Sequence, residues 1–270
     1  MDPPGTRATA DRPVGTLRVM TEQHGQGTAA TGPQDVTDGV PGRLPEGDLD
    51  ADPGYRLAVV DVLGALAYGE LTAFFRLSAD ADLAPTLTDK AELGRLAVQE
   101  FTHYQLLRRR LGEIGADPEA AMEPFVAAVD AFHERTAPQT WLEGLVKAYV
   151  GDGIASDFYR EISAFLDPAT HDLVTTVLAD SGQSEFVVRV VTEATALDPR
   201  VSGRLALWGR RLVGEALSQA QRVAADRDGL ASLLVGSVDR PGADLAQLVR
   251  MFTRLTEAHS ARMGRLGLSA

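Results

Sequence analysis

Two stretches of sequence indicate the kind of fold: Gln-Glu-Phe-Thr-His-Tyr at residues 99–104 and Leu-Ala-Tyr-Gly-Glu-Leu at residues 66–71. Glu70 falls on the apolar stripe of a helix predicted from Pro53 to about residue 77. Glu100 and His103 fall on the apolar stripe of a helix predicted over 88–114. A carboxylate in an apolar core costs several kcal/mol unless it is paired, protonated or bound to a metal. These registers therefore predict a polar site inside a helical bundle.

The chain beyond residue 52 follows helical periodicity, and no segment alternates as a half-buried strand would. Asp-Pro pairs at 167–168 and 198–199 mark helix starts, and Pro124 and Pro138 indicate a broken connection between the second and third helices. The sequence therefore predicts an all-α fold, with a four-helix bundle over 53–198 and two further helices within 199–268. The predicted helices span 53–77, 88–114, 140–166, 168–197, 200–226 and 242–266.

Composition narrows the protein class. The 270 residues include no cysteine, which excludes disulfides and thiolate metal sites and leaves carboxylate and imidazole as metal ligands. The 38 acidic and 26 basic residues give a net charge of −12, which argues against nucleic-acid binding through bulk charge. Without an apolar run of about 20 residues or a secretory h-region, the chain is expected to be cytoplasmic, with no membrane partner.

The charge is distributed unevenly along the chain. Residues 1–52 are rich in Gly, Pro, Thr and Asp and carry nine acidic and four basic residues. Such a segment cannot bury enough apolar surface to offset its conformational entropy, so we expect a disordered acidic tail over 1–52 and a folded domain over 53–270. Residues 200–270 carry six acidic and eleven basic residues, which predicts an acidic bundle with a basic C-terminal third.

Counting residues from the predicted turns places acidic residues of four helices at a similar depth in the bundle. Glu70 lies 13 residues before the turn near Leu83, and Glu100 lies 17 residues after it. In the second hairpin Asp152 lies 15 residues before the Asp167 turn, and Glu185 lies 18 after it. At about 1.5 Å per residue, each pair sits at a similar depth in an antiparallel pair of helices. A lone Glu facing a Glu-x-x-His pair is the donor arrangement of a carboxylate-bridged metal site in a bundle.

Four stretches carry a resemblance to a known family: residues 66–71, 100–103, 143–159 and 214–221. Residues 55–198 resemble the ferritin-like superfamily. The whole folded part is similar to an actinobacterial branch related to the hydroxylase of 2-methylthio-isopentenyl-adenosine in tRNA. The resemblance implies metal ligands at Glu70, Glu100, His103, Asp152 and Glu185, with a histidine expected at position 188. That position is Val188, so one nitrogen donor of the pattern is missing.

The resemblance implies iron at one or two sites, with manganese as the other candidate, and a non-haem di-iron monooxygenase as the enzyme class. On this interpretation the substrate would lie in tRNA, and the basic C-terminal third would be its docking surface. No catalytic residue apart from the metal ligands is assigned.

Other interpretations stay open at this stage. The buried acids and His103 could form a polar cluster satisfied by internal hydrogen bonds without metal. The protein could be an oxidative-stress or metal-binding protein with a degenerate site, or a non-catalytic helical scaffold. The two helices after residue 199 would pack on the bundle or form a homodimer.

Overall fold

The computed structural model describes residue 49 and residues 51–179, 182–237, 240–241 and 245–270. Backbone contacts separate a unit over 1–39, outside the described residues, from a unit over 40–270 that holds every element given below. The predicted tail over 1–52 lies almost wholly outside the described residues. The all-α prediction is confirmed. The helices are α1 (Pro53–Asp80), α2 (Leu87–Glu113), α3 (Pro118–Arg135), α4 (Trp141–Ser163), α5 (Pro168–Val177), α6 (Gln183–Leu197), α7 (Pro199–Asp226), α8 (Asp228–Val235) and α9 (Leu245–Arg265).

Four of the described helices begin with the dipeptide Asp-Pro. In α1, Asp52 accepts a hydrogen bond from the backbone N–H of Tyr55 at 2.9 Å, and in α5, Asp167 accepts one from Thr170 at 3.1 Å. A cap of this kind stabilises a helix by about 1 kcal/mol, and the fixed φ of proline suits the first turn. The same pair starts α3 and α7.

The connection between the second and third predicted helices is itself a helix, so the prediction of a broken connection at Pro124 is wrong. Helix α3 runs through Pro124, although an internal proline removes one hydrogen bond and costs about 3 kcal/mol. Burial of Ala121 and Phe125 offsets this cost. Close packing of α3 on α1 also stabilises α3. Gly64 of α1 allows this approach, because a Cβ at position 64 would lie 2.1 Å from the carbonyl oxygen of Ala121.

The single helix predicted over 168–197 is also wrong, because the structure divides it into α5 and α6. Gly182, with φ of 89°, caps the start of α6 in a left-handed conformation that glycine adopts without strain. Helix α8 and the two-residue antiparallel pair of Gly236–Ser237 with Arg240–Pro241 were not predicted. The last helix is described from Leu245, and its predicted start near residue 242 lies outside the described residues.

The core consists of two apolar clusters at different depths of the bundle. One contains Leu63, Leu107 and Phe125, and the other contains Leu93 and Leu145. Along α1, α2 and α4 the predicted site residues come between the segments that build the two clusters: Glu70, Glu100, His103 and Asp152. The candidate site is therefore a polar layer between two apolar halves.

The segment Pro53–Leu83, which contains α1, is long and apolar enough to cross a membrane by length and composition alone. More than half of its most apolar window, 56%, is buried inside the protein. A central helix of a bundle meets the same criterion, because it is apolar on most of its faces.

Candidate metal centre

Helices α1 and α2 bring three of the predicted ligands together. Nδ1 of His103 lies 3.3 Å from Oε2 of Glu70 and 4.0 Å from Oε2 of Glu100. One donor atom from each residue lies within 4.8 Å of the other two. The three side chains are only 12–13% exposed. The pair Glu100 and His103 meets Glu70 because residues three apart share a helix face.

Burial controls the protonation of these groups. Burial, a hydrogen bond to Glu70 and the charge of Glu70 together raise the pKa of Glu100 to about 10. Burial also raises the pKa of Glu70 to about 7, with the hydrogen bond to Glu100 acting in the opposite direction. The pKa of His103 is lowered by burial, so its imidazole is neutral at pH 7. The metal-free site therefore holds at least one carboxyl proton and a neutral imidazole.

Asp152 of α4 lies beside this cluster without belonging to the group of three. Its Oδ2 accepts a hydrogen bond of 3.2 Å from the side-chain amide of Gln183, in the first turn of α6. Burial raises the pKa of Asp152 to about 7, and the electrostatic interaction with Glu100 acts in the same direction. Sequence reasoning missed Gln183. Its position directly after Gly182 is a signal that could have identified it, because Gly182 fixes where the helix begins.

Glu185, the fifth predicted ligand, is not part of the donor group of Glu70, Glu100 and His103. Its side chain is exposed and lines a separate cleft of about 370 Å³ together with Thr88, Glu92 and Arg189. Val188, where the resemblance implies a histidine, is half-buried and packs against the apolar cluster that contains Leu145. The described residues thus bring together donors for one ion, and the second Glu-x-x-His position supplies none.

Two further histidines of the bundle, His133 and His171, have other partners. His133 of α3 packs against the ring of Phe132, and its pKa is lowered to about 3 by burial and by the charges of Lys147 and Arg76. Nδ1 of His171 lies 2.9 Å from the carbonyl oxygen of Ser163. Neither belongs to the donor group of Glu70, Glu100 and His103.

Helix α9 reaches the neighbourhood of Asp152 through Arg262. The guanidinium donates hydrogen bonds to the carbonyl of Gly153 at 3.2 Å and to Oδ2 of Asp157 at 2.7 Å. A Cβ at position 153 would lie 2.2 Å from Nε of Arg262, so a larger residue there would displace the Arg262 side chain. The charge of Arg262 acts to lower the pKa of Asp152. The other acid of this region, Glu161, forms an ion pair with Arg254.

Aromatic side chains flank the donors where α1 meets α2. Phe74 comes one turn after Glu70, and Phe101 and Tyr104 adjoin Glu100 and His103 in sequence. The ring centroids of Phe74 and Phe101 are 5.1 Å apart, and those of Phe101 and Tyr104 are 5.6 Å apart. The three rings therefore form one aromatic group on the turns of α1 and α2 that carry the donors.

The donor set fits a divalent transition metal. Two carboxylates and an imidazole suit iron or manganese, and neutral His103 presents a lone pair without first losing a proton. Burial is the main cause of the high pKa of Glu100 and Glu70, and a bound cation would supply charge that favours their ionised forms. We find the residues present compatible with one ion.

The comparisons with known proteins agree on the fold. Residues 53–237 match the profile of a family described as a ferritin-like domain of actinomycetes. Among solved structures, the chain is similar to a Synechococcus protein described as protein 19 with aldehyde deformylating oxidase activity. The identity is 20% and the TM-score 0.60, over 82% of this chain and 94% of that one. At that identity the likeness shows the fold alone. No curated protein sequence matches the chain.

Proposed function

The chain belongs to the actinomycete ferritin-like domain family, and we propose that it is a metal protein in which Glu70, Glu100 and His103 hold one iron ion. The observation that carries the proposal is the convergence of these three donors within 4.8 Å, between the two apolar clusters of the core. Manganese is the alternative ion, because it accepts the same oxygen and nitrogen donors.

We further propose an oxidase or hydroxylase that uses dioxygen. A bound iron ion with open coordination positions supplies redox chemistry with dioxygen. The residues of the chain have supporting roles: His103 donates a nitrogen lone pair, and Glu70 and Glu100 give up the proton that they share without metal. Asp152, oriented by Gln183, holds a proton beside the donors. The rings of Phe74 and Tyr104 limit access of water from the α1–α2 side.

A second candidate function is favoured by the placement of Glu185 and Val188. Because these positions do not complete a second donor set, a non-catalytic or oxidative-stress metal protein with a degenerate site fits the same geometry. Both candidate functions require metal binding, but only the oxidase or hydroxylase would turn over a substrate. The di-iron hydroxylase interpretation needs a second ion, so the number of ions per chain also separates them.

Metal content tests the shared part of the proposal. The purified chain is loaded anaerobically with ferrous ion, desalted, and analysed for iron per chain beside the variants Glu100→Gln and His103→Ala. Glu113→Gln is the matched control, because Glu113 is a half-exposed acid near the end of the same helix. We expect about one iron in the wild type and the control, and a large loss in the two ligand variants. A wild type without iron contradicts the proposal.

The expected tRNA partner, the homodimer and the cytoplasmic location stay predictions. Binding of tRNA is measured as a salt-dependent shift of the iron-loaded chain, since phosphate contacts weaken steeply with ionic strength. Iron binding without tRNA affinity would favour the metal-binding or oxidative-stress class over the tRNA-modifying hydroxylase.

A further inference from the structure

A cleft of about 390 Å³ lies between α1 and α3, and we call it the α1–α3 cleft. Its lining contains two opposite charges, two hydroxyls and two apolar side chains: Arg76, Asp130, Tyr68, Thr72, Leu71 and Phe75. Sites for small molecules have volumes of about 300–1,000 Å³ and combine apolar walls with a few polar groups. The cleft therefore has the size and the mixed lining of a binding site for a small ligand.

The α1–α3 cleft lies on the face of α1 opposite the donor group. Five of its six residues belong to α1. At about 100° per residue, the mean direction of these five side chains is about 170° from that of Glu70. The cleft is therefore separate from the candidate metal centre, and an activity assigned to it goes beyond the proposed function.

The two charges of the cleft have no ion-pair partner among the described residues. Asp130 accepts a hydrogen bond of 2.9 Å from the hydroxyl of Tyr68, and no basic side chain of the described chain pairs with it. Arg76 is exposed and pairs with no described acid, Asp130 included. Arg76 follows Tyr68 by eight residues, about 12 Å along the axis of α1. An acid and a base thus line one cleft without neutralising each other, which leaves both charges for a ligand.

The two hydroxyls of the cleft have lone pairs left for a donor. Tyr68 donates its proton to Asp130, and Thr72 donates its proton to the backbone carbonyl of Tyr68 at 2.6 Å. A hydroxyl that has donated its only proton can still accept a hydrogen bond. The polar part of the lining can therefore receive N–H donors, and the carboxylate of Asp130 suits a cationic one.

We propose that the α1–α3 cleft binds a short peptide with free ends. The ammonium of the peptide binds Asp130, and its carboxylate binds Arg76, whose guanidinium suits two parallel hydrogen bonds to a carboxylate. An apolar side chain in the middle of the peptide packs on Leu71 and Phe75, which lie between Tyr68 and Arg76 in the sequence. An extended tripeptide spans about 10 Å, close to the two turns of α1 that the cleft follows.

The test measures binding of defined peptides to the full, metal-free chain by calorimetry in the presence of a chelator. The probe is glycyl-leucyl-glycine, compared with its N-acetyl form and its C-terminal amide, each of which lacks one charge. We expect saturable binding of the probe and about fivefold weaker binding of each blocked form, as for a partly exposed ion pair. Triglycine should bind about tenfold more weakly than the probe, because it lacks the leucine side chain.

Two variants assign the ends of the peptide. Arg76→Gln should weaken binding of the probe about fivefold and leave the affinity for the amide unchanged, because the amide has no carboxylate. Asp130→Asn should weaken binding of the probe by a similar factor and leave the affinity for the N-acetyl form unchanged. The matched controls are Arg108→Gln on α2 and Glu123→Gln on α3, which remove exposed charges that do not line the cleft.

Three outcomes overturn the inference. The first is a wild type that does not bind the probe saturably or that binds the free and blocked peptides equally. The second is a loss confined to one blocked form, which makes the ligand a simple anion or cation. The third is equal weakening by the cleft variants and the control variants. The comparison of peptides on the wild type needs no variant, so it decides the question even if Asp130→Asn unfolds the chain. All of these measurements use metal-free protein, so failure of iron loading contradicts the proposed function alone.

Discussion

Substituting Glu100 by glutamine should have opposite effects on the metal-free and the metal-loaded protein. Glutamine has almost the shape of glutamic acid but does not titrate, and the side chain of Glu100 is only 13% exposed. In the metal-free protein, burial raises the pKa of Glu100 from the ordinary 4.5 to about 10. The folded state therefore binds more protons than the unfolded chain between about pH 4.5 and 10, and folding stability falls as pH rises through that window.

The size of the effect follows from the interval between the ordinary pKa and the working pH. At about 1.4 kcal/mol per pH unit, keeping Glu100 protonated at pH 7 costs about 3 kcal/mol of unfolding free energy. Glu100→Gln removes this cost, so the metal-free variant should be more stable than the wild type by up to about 3 kcal/mol at pH 7. The gain should vanish near pH 4.5, where both states of the wild type carry the proton.

With iron bound the sign reverses, because the amide is a weaker ligand than a carboxylate and the stabilisation by bound metal is lost. The assay is urea unfolding followed by circular dichroism at pH 4.5, 7 and 8.5, with chelator and with ferrous ion under anaerobic conditions. Glu113→Gln, at a half-exposed position of the same helix, should follow the wild type throughout. Parallel pH profiles for wild type and Glu100→Gln without metal would refute the reasoning about burial.

Three further predictions concern the metal and the packing. Iron binding at pH 7 should release between about one and two protons, because burial raises the pKa of Glu70 to about 7 and that of Glu100 to about 10. Calorimetry in buffers of different ionisation enthalpy measures the number of protons released. A measurement of no released proton would contradict a protonated metal-free site. Gly64→Ala should lower the melting temperature by the equivalent of about 1–3 kcal/mol, because its Cβ would meet the carbonyl of Ala121 at 2.1 Å. Gly69→Ala, where a Cβ meets nothing within 4 Å, should be neutral or stabilising, and an equal effect of both would reject the packing argument. Arg227→Met should destabilise the chain by about 3–5 kcal/mol in chemical unfolding, because it leaves Asp61, 2% exposed, without its ion-pair partner; a loss below 1 kcal/mol would show that the pair is dispensable.

The first hairpin could be predicted from the sequence because all of its information is local. The apolar stripes of α1 and α2 and the turn near Leu83 fix the relative depth of Glu70, Glu100 and His103, and the structure brings these three together. Counting residues from the turn predicts the depth of a side chain only if the helices on both sides of the turn are continuous. Both segments satisfy that condition.

The second hairpin could not be predicted in the same way, because the depth of Glu185 was counted along a helix that is interrupted. Gly182 restarts the helix in a new register, which turns Glu185 to solvent and places Gln183 against Asp152. The prediction for the segment of α3 was wrong for the opposite reason. Pro124 is a local signal for a break in the helix, but burial of Phe125 in the core outweighs it. Local sequence signals therefore show where a helix costs free energy, and tertiary packing determines whether the helix forms at that position.

If Glu70, Glu100 and His103 hold an ion as proposed, the polar layer between the two apolar clusters couples metal binding to folding. An ion shared by Glu70 and by the pair on α2 is a cross-link that closes a loop of about thirty residues, and its free energy is felt only when both apolar halves are assembled. A chelator would then lower the free energy of unfolding of the iron-loaded protein, and the supply of iron would influence how long the chain survives proteolysis.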